Sequence, residues 1–277
     1  MRCLLRHIEA CRNARLPGGR RPFRIGEAHV GWVLTDLAKA LQEFPQIRAE
    51  GADIVLEPAG ASALPGIARA LASRGLFRWR REAFDVRAVP GGPVLATLDR
   101  GALPAFGVIA EGVHVNGLVR RADGFWLWIA RRSEHKLLDP GKLDHIAAGG
   151  IPAGLTPVET LAKEAAEEAG IPPLLAAQAV PVARIGYAME RPEGLRRDFL
   201  HCFDLVLPED FLPHPADGEV SGFERWPLGR VLEQVAGTDG FKFNVNLVLI
   251  DLFLRAGLID PAAGEGRVLR EALDAWP

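Results

Sequence analysis

Three glutamates, Glu164, Glu167 and Glu168, stand at i, i+3 and i+4 in the segment LTPVETLAKEAAEEAGI (155–171), and a fourth, Glu159, lies shortly before them. On a helix the three would share an arc of about 100°. Like charges at these spacings repel by tenths of a kcal/mol per pair, and Lys163 is the one cation in the segment close enough to offset them. A solvated helix face accounts for the composition. The cluster also follows a glycine-rich stretch, AAGGIPAG (147–154). Fixed carboxylates beside such a loop are what Mg²⁺ requires, namely hard oxygen ligands with waters completing an octahedron. The chemistry open to that arrangement is the holding of a hard divalent cation.

The elements that must position these carboxylates are written into the same segment. Thr156 suits an N-cap, Pro157 the first helical position, and Glu159 completes a T-x-x-E capping box, while Gly170 suits the C-terminal cap. Val158, Leu161, Ala162, Ala165 and Ala169 recur at helical spacing and predict the buried stripe. Glu159 therefore belongs to the cap, and three glutamates carry the chemistry.

Ahead of the segment, GVHVNGLVRR and FWLWIARR flank ADG, which predicts a β-hairpin. After it come AVPVARIGYAM, RDFLHCFDLVL and SGFERWPL as strands, then a long apolar helix over Phe243–Ile259. The order β-β-α-β-β-β-α predicts an α/β/α sandwich with a mixed sheet over residues 111–277. Residues 1–110 read as a separate, small α+β domain. Its helices fall near Leu34–Phe44 and Leu64–Gly75, its strands at HVGWVL and AFDVRAV, and the amphipathic, Arg-rich start reads as a first helix.

The 277 residues, 48% of them hydrophobic, are enough for one large or two modest cores. A formal net charge of −2 gives no general attraction to nucleic acid or to anionic membranes. The charge is unevenly spread, however: residues 1–110 hold 16 Lys and Arg against 10 Asp and Glu, a local +6 that leaves −8 for the remainder. Cys3, Cys11 and Cys202 form neither a disulfide framework nor a zinc pair, and no apolar run approaches the ~20 residues that span a bilayer. A cytoplasmic setting is expected. FRWRREAF (77–84) interleaves cations with aromatics as a single-strand nucleic-acid groove does, but one short stretch reads better as a solvated strand edge.

The stretch GGIPAGLTPVETLAKEAAEEAGI resembles the Nudix box, G-x5-E-x7-R-E-U-x-E-E-x-G-U with U apolar, at Gly149, Glu164, Ala165, Glu167, Glu168, Gly170 and Ile171. Two positions depart. Leu155 stands where the first glutamate is expected, and Lys163 replaces an arginine that usually orients a catalytic glutamate, offering a point charge in place of a planar fork. The flanks GVHVNGLV, LWIARRS, LDHIAAGGIPAG, DGEVSGF and FNVNLVLIDLFLRAG resemble one Nudix branch, related to thiamine pyrophosphokinase and carrying an added N-terminal domain of roughly 100 residues. An apolar residue and a lysine at the two departing positions are usual in that branch.

The resemblance implies a Mg²⁺-dependent hydrolase, with Mn²⁺ as a substitute, that cleaves thiamine diphosphate or its oxidised, damaged forms to monophosphates. It implies Glu164 and Glu168 as metal ligands, Glu167 sharing a second ion or orienting the water, and the Gly149 carbonyl completing the shell. Glu219, in the loop DGEV, occupies a place where many family members put another ligand or base. A plain turn carboxylate reads as well. His114 and Asn116 alternate onto one strand face and could meet substrate, and Arg131 and Arg132 end a strand and could bind phosphate; structural roles compete for all four. Other Nudix substrates (ADP-ribose, dinucleotides, CoA derivatives) and a non-catalytic diphosphate sensor are the rival readings. Isopentenyl diphosphate isomerisation needs an active-site cysteine that this chain does not place in the expected loop. A small-molecule diphosphate is the expected partner, and a homodimer is compatible with the sequence.

Overall fold

Runs of alternating β-branched and aromatic residues build the long strands, because side chains of period two can feed two different faces of one sheet. The structure, a computed structural model, describes residues 2–215 and 218–275. In chain order its elements begin α1 (Arg2–Cys11), β1 (Arg20–Ile25), β2 (Ala28–Leu34), α2 (Thr35–Leu41), β3 (Ile47–Glu50), β4 (Asp53–Leu56), α3 (Leu64–Ser73), β5 (Ala83–Val86), β6 (Ala96–Asp99) and α4 (Leu103–Phe106). There follow β7 (Ile109–Arg121), β8 (Gly124–Arg132), β9 (Leu143–Asp144), β10 (Ala147–Gly150), α5 (Pro157–Ala169), α6 (Pro173–Ala176), β11 (Val180–Arg191), β12 (Gly194–Val206), β13 (Val220–Pro227), α7 (Leu228–Gly237), α8 (Val245–Arg255) and α9 (Gly264–Asp274).

The large sheet runs β11-β12-β7-β8-β13, with β10 paired to β7 and β9 to β8. It is mixed, since β7 and β12 are parallel and the other pairs antiparallel. Along β7 the alternation sorts residues to two cores. Val113, Val115 and Val119 pack with Leu161, Ala165 and Ala169 of α5, whereas Leu118 joins a cluster shared with α7, α8 and α9. Every residue of α8 from Val245 to Leu254 is buried, which explains its mostly apolar sequence, and the buried Asp251 is paired by Arg255 and Arg270. Sheet and helices thus form an α/β/α sandwich. A second, four-stranded sheet, β2-β1-β4-β3, with α2, α3, α4 and the β5-β6 pair around a separate core, makes the preceding α+β unit.

Two features go beyond what the sequence pattern implied. Strands β9 and β10 (LD and AAGG) lack β-branched residues and are legible only through their partners. More consequentially, α1 leaves the first unit and packs on the second: Leu4, Ile8 and Cys11 are buried in the same cluster as Phe253, Leu269 and Leu273. Its polar groups bind there too. His7 Nε2 lies 2.8 Å from the Val235 carbonyl, Arg6 pairs with Asp239, and Arg12 donates to the carbonyls of Gly186 and Leu273 at 2.9 and 3.1 Å. A cut near residue 110 would therefore strip a helix from the second core.

Candidate active site

Helix α5 is fixed at its start by the groups its sequence supplies. Thr156 Oγ1 accepts from the Glu159 N–H at 3.2 Å and Glu159 Oε2 accepts from the Thr156 N–H at 2.9 Å, which closes the capping box. At the far end Gly170 takes a left-handed φ of 63°. The buried face is not quite the predicted one. Val158 is 62% exposed, and Thr160, Leu161, Ala165, Glu168 and Ala169 are the buried residues. Helical spacing from Leu161 and Ala165 leads directly to Glu168; reading hydrophobicity alone passed over it because it is charged.

That burial creates the site. Where α5 crosses β10, a Cβ on Gly149 would sit 2.5 Å from Glu164 Oε2 and 2.6 Å from its Cγ, so only glycine leaves room for the carboxylate. One residue earlier, the Ala148 N–H donates to Glu168 Oε2 at 2.8 Å. Glu168 is only 6% exposed. Burial pushes its carboxyl up to about 8 against the pull of that N–H and of Lys136, and the charges of Asp144 and Glu164 add to the rise. A buried carboxylate so destabilised gains from any further positive charge beside it. A glycine cradle with two hard oxygen donors fits a divalent cation, which would supply that charge.

Lys163 joins the other pair, with Nζ 3.1 Å from Glu164 Oε1 and 2.7 Å from Glu167 Oε2. Bonding to Glu167, and next to Glu164, raises its ammonium pKa. The lysine thus orients both carboxylates as a point charge, where an arginine would use a fork. Glu167 itself is exposed. Glu219 pairs with Lys136, which is also within electrostatic reach of Glu168, so the loop before β13 enters the same cluster.

The remaining predicted residues divide. Arg132 is buried and donates to Asp144 Oδ2 at 2.7 Å, next to the carboxylate site. His114 is 3% exposed, with Nδ1 2.9 Å from His145 Nδ1. Asn116 donates to Asp204 at 2.8 Å, and Asp204 in turn holds Arg255 and lies within electrostatic reach of His145, the partner of His114. Arg131 is exposed, reaches Glu224 at 3.3 Å, and lines an open cleft with Lys142, Trp226 and Arg230. In FRWRREAF, Phe77 and Trp79 are half-buried against the first core and Phe84 is fully inside it, so the stretch is no single-strand groove.

Sequence reasoning did not single out Asp144, His145 or Lys242. Ligand atoms of His114, Asp144 and His145 lie within 4.8 Å of one another. Burial alone would raise the Asp144 carboxyl, but Lys242 and Arg132 override it and hold the group well below the usual range. Burial lowers His145 to about 4 and His114 well below its ordinary value. Both histidines are therefore neutral at pH 7, and two cations already compensate Asp144, which makes this a hydrogen-bonded support behind Glu168 more than a second cation site. The signal lay in LDH (143–145) and in Lys242, but nothing in their spacing shows that the fold joins them.

Fold and carboxylate cradle define a Nudix-type hydrolase. A family model described as "NUDIX domain" matches residues 110–243, and one described as "Domain of unknown function (DUF4743)" matches residues 3–110. The chain is 37% identical over 250 residues to Nudix hydrolase 24, chloroplastic, of Arabidopsis thaliana, covering 87% of this chain and 68% of that one. It is 36% identical over 257 residues to Nudix hydrolase 20, chloroplastic, of the same plant, covering 87% and 69%. Among solved structures, that of DR0079 from Deinococcus radiodurans aligns with a TM-score of 0.47 at 23% identity, over 61% of this chain and 97% of that one. The chain belongs to the Nudix hydrolase family. It is an enzyme of the diphosphate-hydrolysing kind, and such hydrolases generally use divalent metals.

Proposed function

We propose that this chain hydrolyses the diphosphate linkage of a small molecule with Mg²⁺ held by Glu164 and Glu168, and that the molecule is thiamine diphosphate or one of its oxidised analogues, converted to the monophosphate. The observation that carries the metal assignment is the cradle: Gly149 makes room for the Glu164 carboxylate, and the Ala148 N–H fixes the buried Glu168 beside it. Mg²⁺, or Mn²⁺ in its place, would polarise phosphorus and neutralise the departing phosphate. The protein supplies the rest. Glu168 is held by the Ala148 N–H and Glu164 by Lys163, and the Gly149 carbonyl offers a further oxygen. Glu167 is exposed and steadied by Lys163, which suits it to accept a proton from the attacking water. Glu219, on Lys136, is a further carboxylate for the same site.

The thiamine-type substrate rests on the flanking sequences and on the added N-terminal unit, whose residues 1–110 we assign a share in the substrate site. A hydrolysis panel tests it: thiamine diphosphate, its oxo and oxy analogues, ADP-ribose, a dinucleotide and a CoA derivative, each with Mg²⁺, analysed by mass in ¹⁸O-water to locate the attacked phosphorus. Preference for thiamine-type compounds, lost in Glu164→Gln, is the expected outcome. Preference for ADP-ribose or a dinucleotide would sink the substrate assignment alone. Turnover unaffected by Glu164→Gln would sink the metal assignment as well.

A further inference from the structure

The N-terminal unit meets the catalytic unit at the loop that forms the cradle, and it does so through an aromatic ring and backbone hydrogen bonds. Phe84, in β5, is 3% exposed and belongs to the first core. Its ring nonetheless fills the space in front of Gly150: a Cβ on that glycine would lie 2.5 Å from Phe84 Cζ and 2.8 Å from Cε1. On either side of Phe84 the chain continues the contact. The Ala83 carbonyl accepts from the Ala153 N–H at 2.8 Å, and Asp85 Oδ2 lies 3.4 Å from the Gly154 N–H. The Ile151 N–H donates to the Glu111 carbonyl at 2.8 Å. The strand β5 thus extends along the loop 150–154 and pins it.

Gly150 is bonded to Gly149, and Gly149 is the residue on which the Glu164 carboxylate rests. Phe84 therefore stands one peptide unit behind the cradle. Its surroundings include Leu155. That leucine lines a cavity of about 180 Å³ between the two units together with Phe84, Ile151 and Pro157. The cation lining the same cavity, Arg87, is already engaged by Asp85 at 2.7 Å and by the Gly92 carbonyl, and lies 3.6 Å from Glu111. Electrostatic help for a diphosphate is thus not what this contact provides.

We infer that Phe84 is a positioning residue for the metal site: the N-terminal unit, through Phe84 and the Ala83 carbonyl, holds the loop 149–154 so that Glu164 and Glu168 present a preformed pair of donors. This rests on the assignment of those two glutamates as metal ligands. Supporting groups one step removed from ligands affect metal affinity by about 10- to 100-fold.

The test uses the full chain with Mn²⁺ as probe. Binding is followed by electron paramagnetic resonance, and amide hydrogen exchange of residues 149–155 is followed in metal-free protein. Phe84→Ala is expected to weaken Mn²⁺ binding at least ten-fold and to speed exchange in the loop by a similar factor. Phe84→Leu, which keeps apolar volume and protects the fold, is expected to fall between Phe84→Ala and wild type. Ile54→Val, a conservative change at a fully buried position elsewhere in the same first core, should lower the melting temperature while leaving Mn²⁺ binding and loop exchange unchanged. Phe84 variants that keep wild-type Mn²⁺ binding while Glu164→Gln loses it would overturn the inference alone. Should Glu164→Gln also bind Mn²⁺ as wild type does, the ligand assignment beneath it falls. Equal losses in Ile54→Val would show general softening and would likewise overturn it.

Discussion

Gly149 and Gly150 are adjacent, yet substituting alanine at each should break the protein in different ways. At Gly149 the added methyl lands 2.5 Å from Glu164 Oε2, about 1 Å inside the separation that carbon and oxygen tolerate. The obstructing atoms, from Cγ to the carboxylate, belong to one flexible side chain, so Glu164 must change rotamer and leave Lys163 while the fold survives. The carboxylate is then displaced by about 1 Å or more from its place beside Glu168, and misplacement on that scale costs on the order of 100-fold in rate. At Gly150 the methyl meets the ring of Phe84, which is buried and cannot swing aside. Overpacking of that kind typically destabilises by about 1–3 kcal/mol. Two assays separate the cases, urea unfolding of the metal-free protein and Mg²⁺-dependent turnover of the best substrate. Gly149→Ala should unfold within about 1 kcal/mol of wild type and lose about 100-fold in kcat/KM, whereas Gly150→Ala should lose stability measurably. If Gly149→Ala keeps wild-type turnover, the cradle is not where the chemistry happens; if it unfolds as readily as Gly150→Ala, Glu164 is not free to move and the geometry has been misread.

Two further perturbations address the support around the site. Ile8→Ala, on the helix α1 that packs away from its own unit, should cost about 2–5 kcal/mol, as deleting a fully buried isoleucine does, and scanning calorimetry checks it; a variant melting within 1 °C of wild type would mean that α1 is dispensable to the second core. Stability should also fall in acid because of the buried histidines. Folded His145 titrates near 4 and folded His114 well below 6.5, so below about pH 6.5 the unfolded chain takes up protons that the folded chain refuses. His145 should remove up to roughly 1.4 kcal/mol per pH unit as pH falls from there toward 4, with His114 acting in the same direction, and the difference between wild type and His145→Gln in urea unfolding at pH 7, 6 and 5 isolates the effect from the carboxylates, with parallel curves as the refuting result.

What the sequence revealed follows from how far apart the cooperating residues lie. Thr156, Pro157, Glu159 and Gly170 act within one helix, so their spacing alone announces the cap and the stop, and the structure bears both out. The long strands and α8 were legible for the same reason, since alternation and unbroken apolarity are local properties. Glu168 was legible as a helix-face carboxylate but not as a buried one, because its burial comes from β10, a strand with no strand-like residues. Asp144, His145 and Lys242 illustrate the harder case. His114 reaches His145 across 31 residues and Lys242 reaches Asp144, 3.7 Å away, across nearly a hundred. No periodicity links them, and only the closing of β9 against β8 and of the loop before α8 against both brings them together.

The division of labour between the two halves is likewise invisible to composition. The +6 of residues 1–110 invites an electrostatic partnership with the −8 of the rest, yet the contacts between them at the cradle are a phenyl ring, an alanine carbonyl and paired ions. On the opposite side the same N-terminal segment sends α1 into the core beneath α8. The first unit therefore meets the second in several places, with α1 under α8, α4 and Arg20 against β12 and β11, and β5 at the loop 149–154, and the carboxylate helix lies on the far face of the sheet from α1. A ligand site whose backbone is braced by a neighbouring unit loses less conformational freedom when the ion arrives, which is how a rigid support raises affinity without adding a contact. A box with leucine at its first acidic position can thus still present an ordered cradle, because Phe84 and the Ala83 carbonyl brace the loop that leads into it.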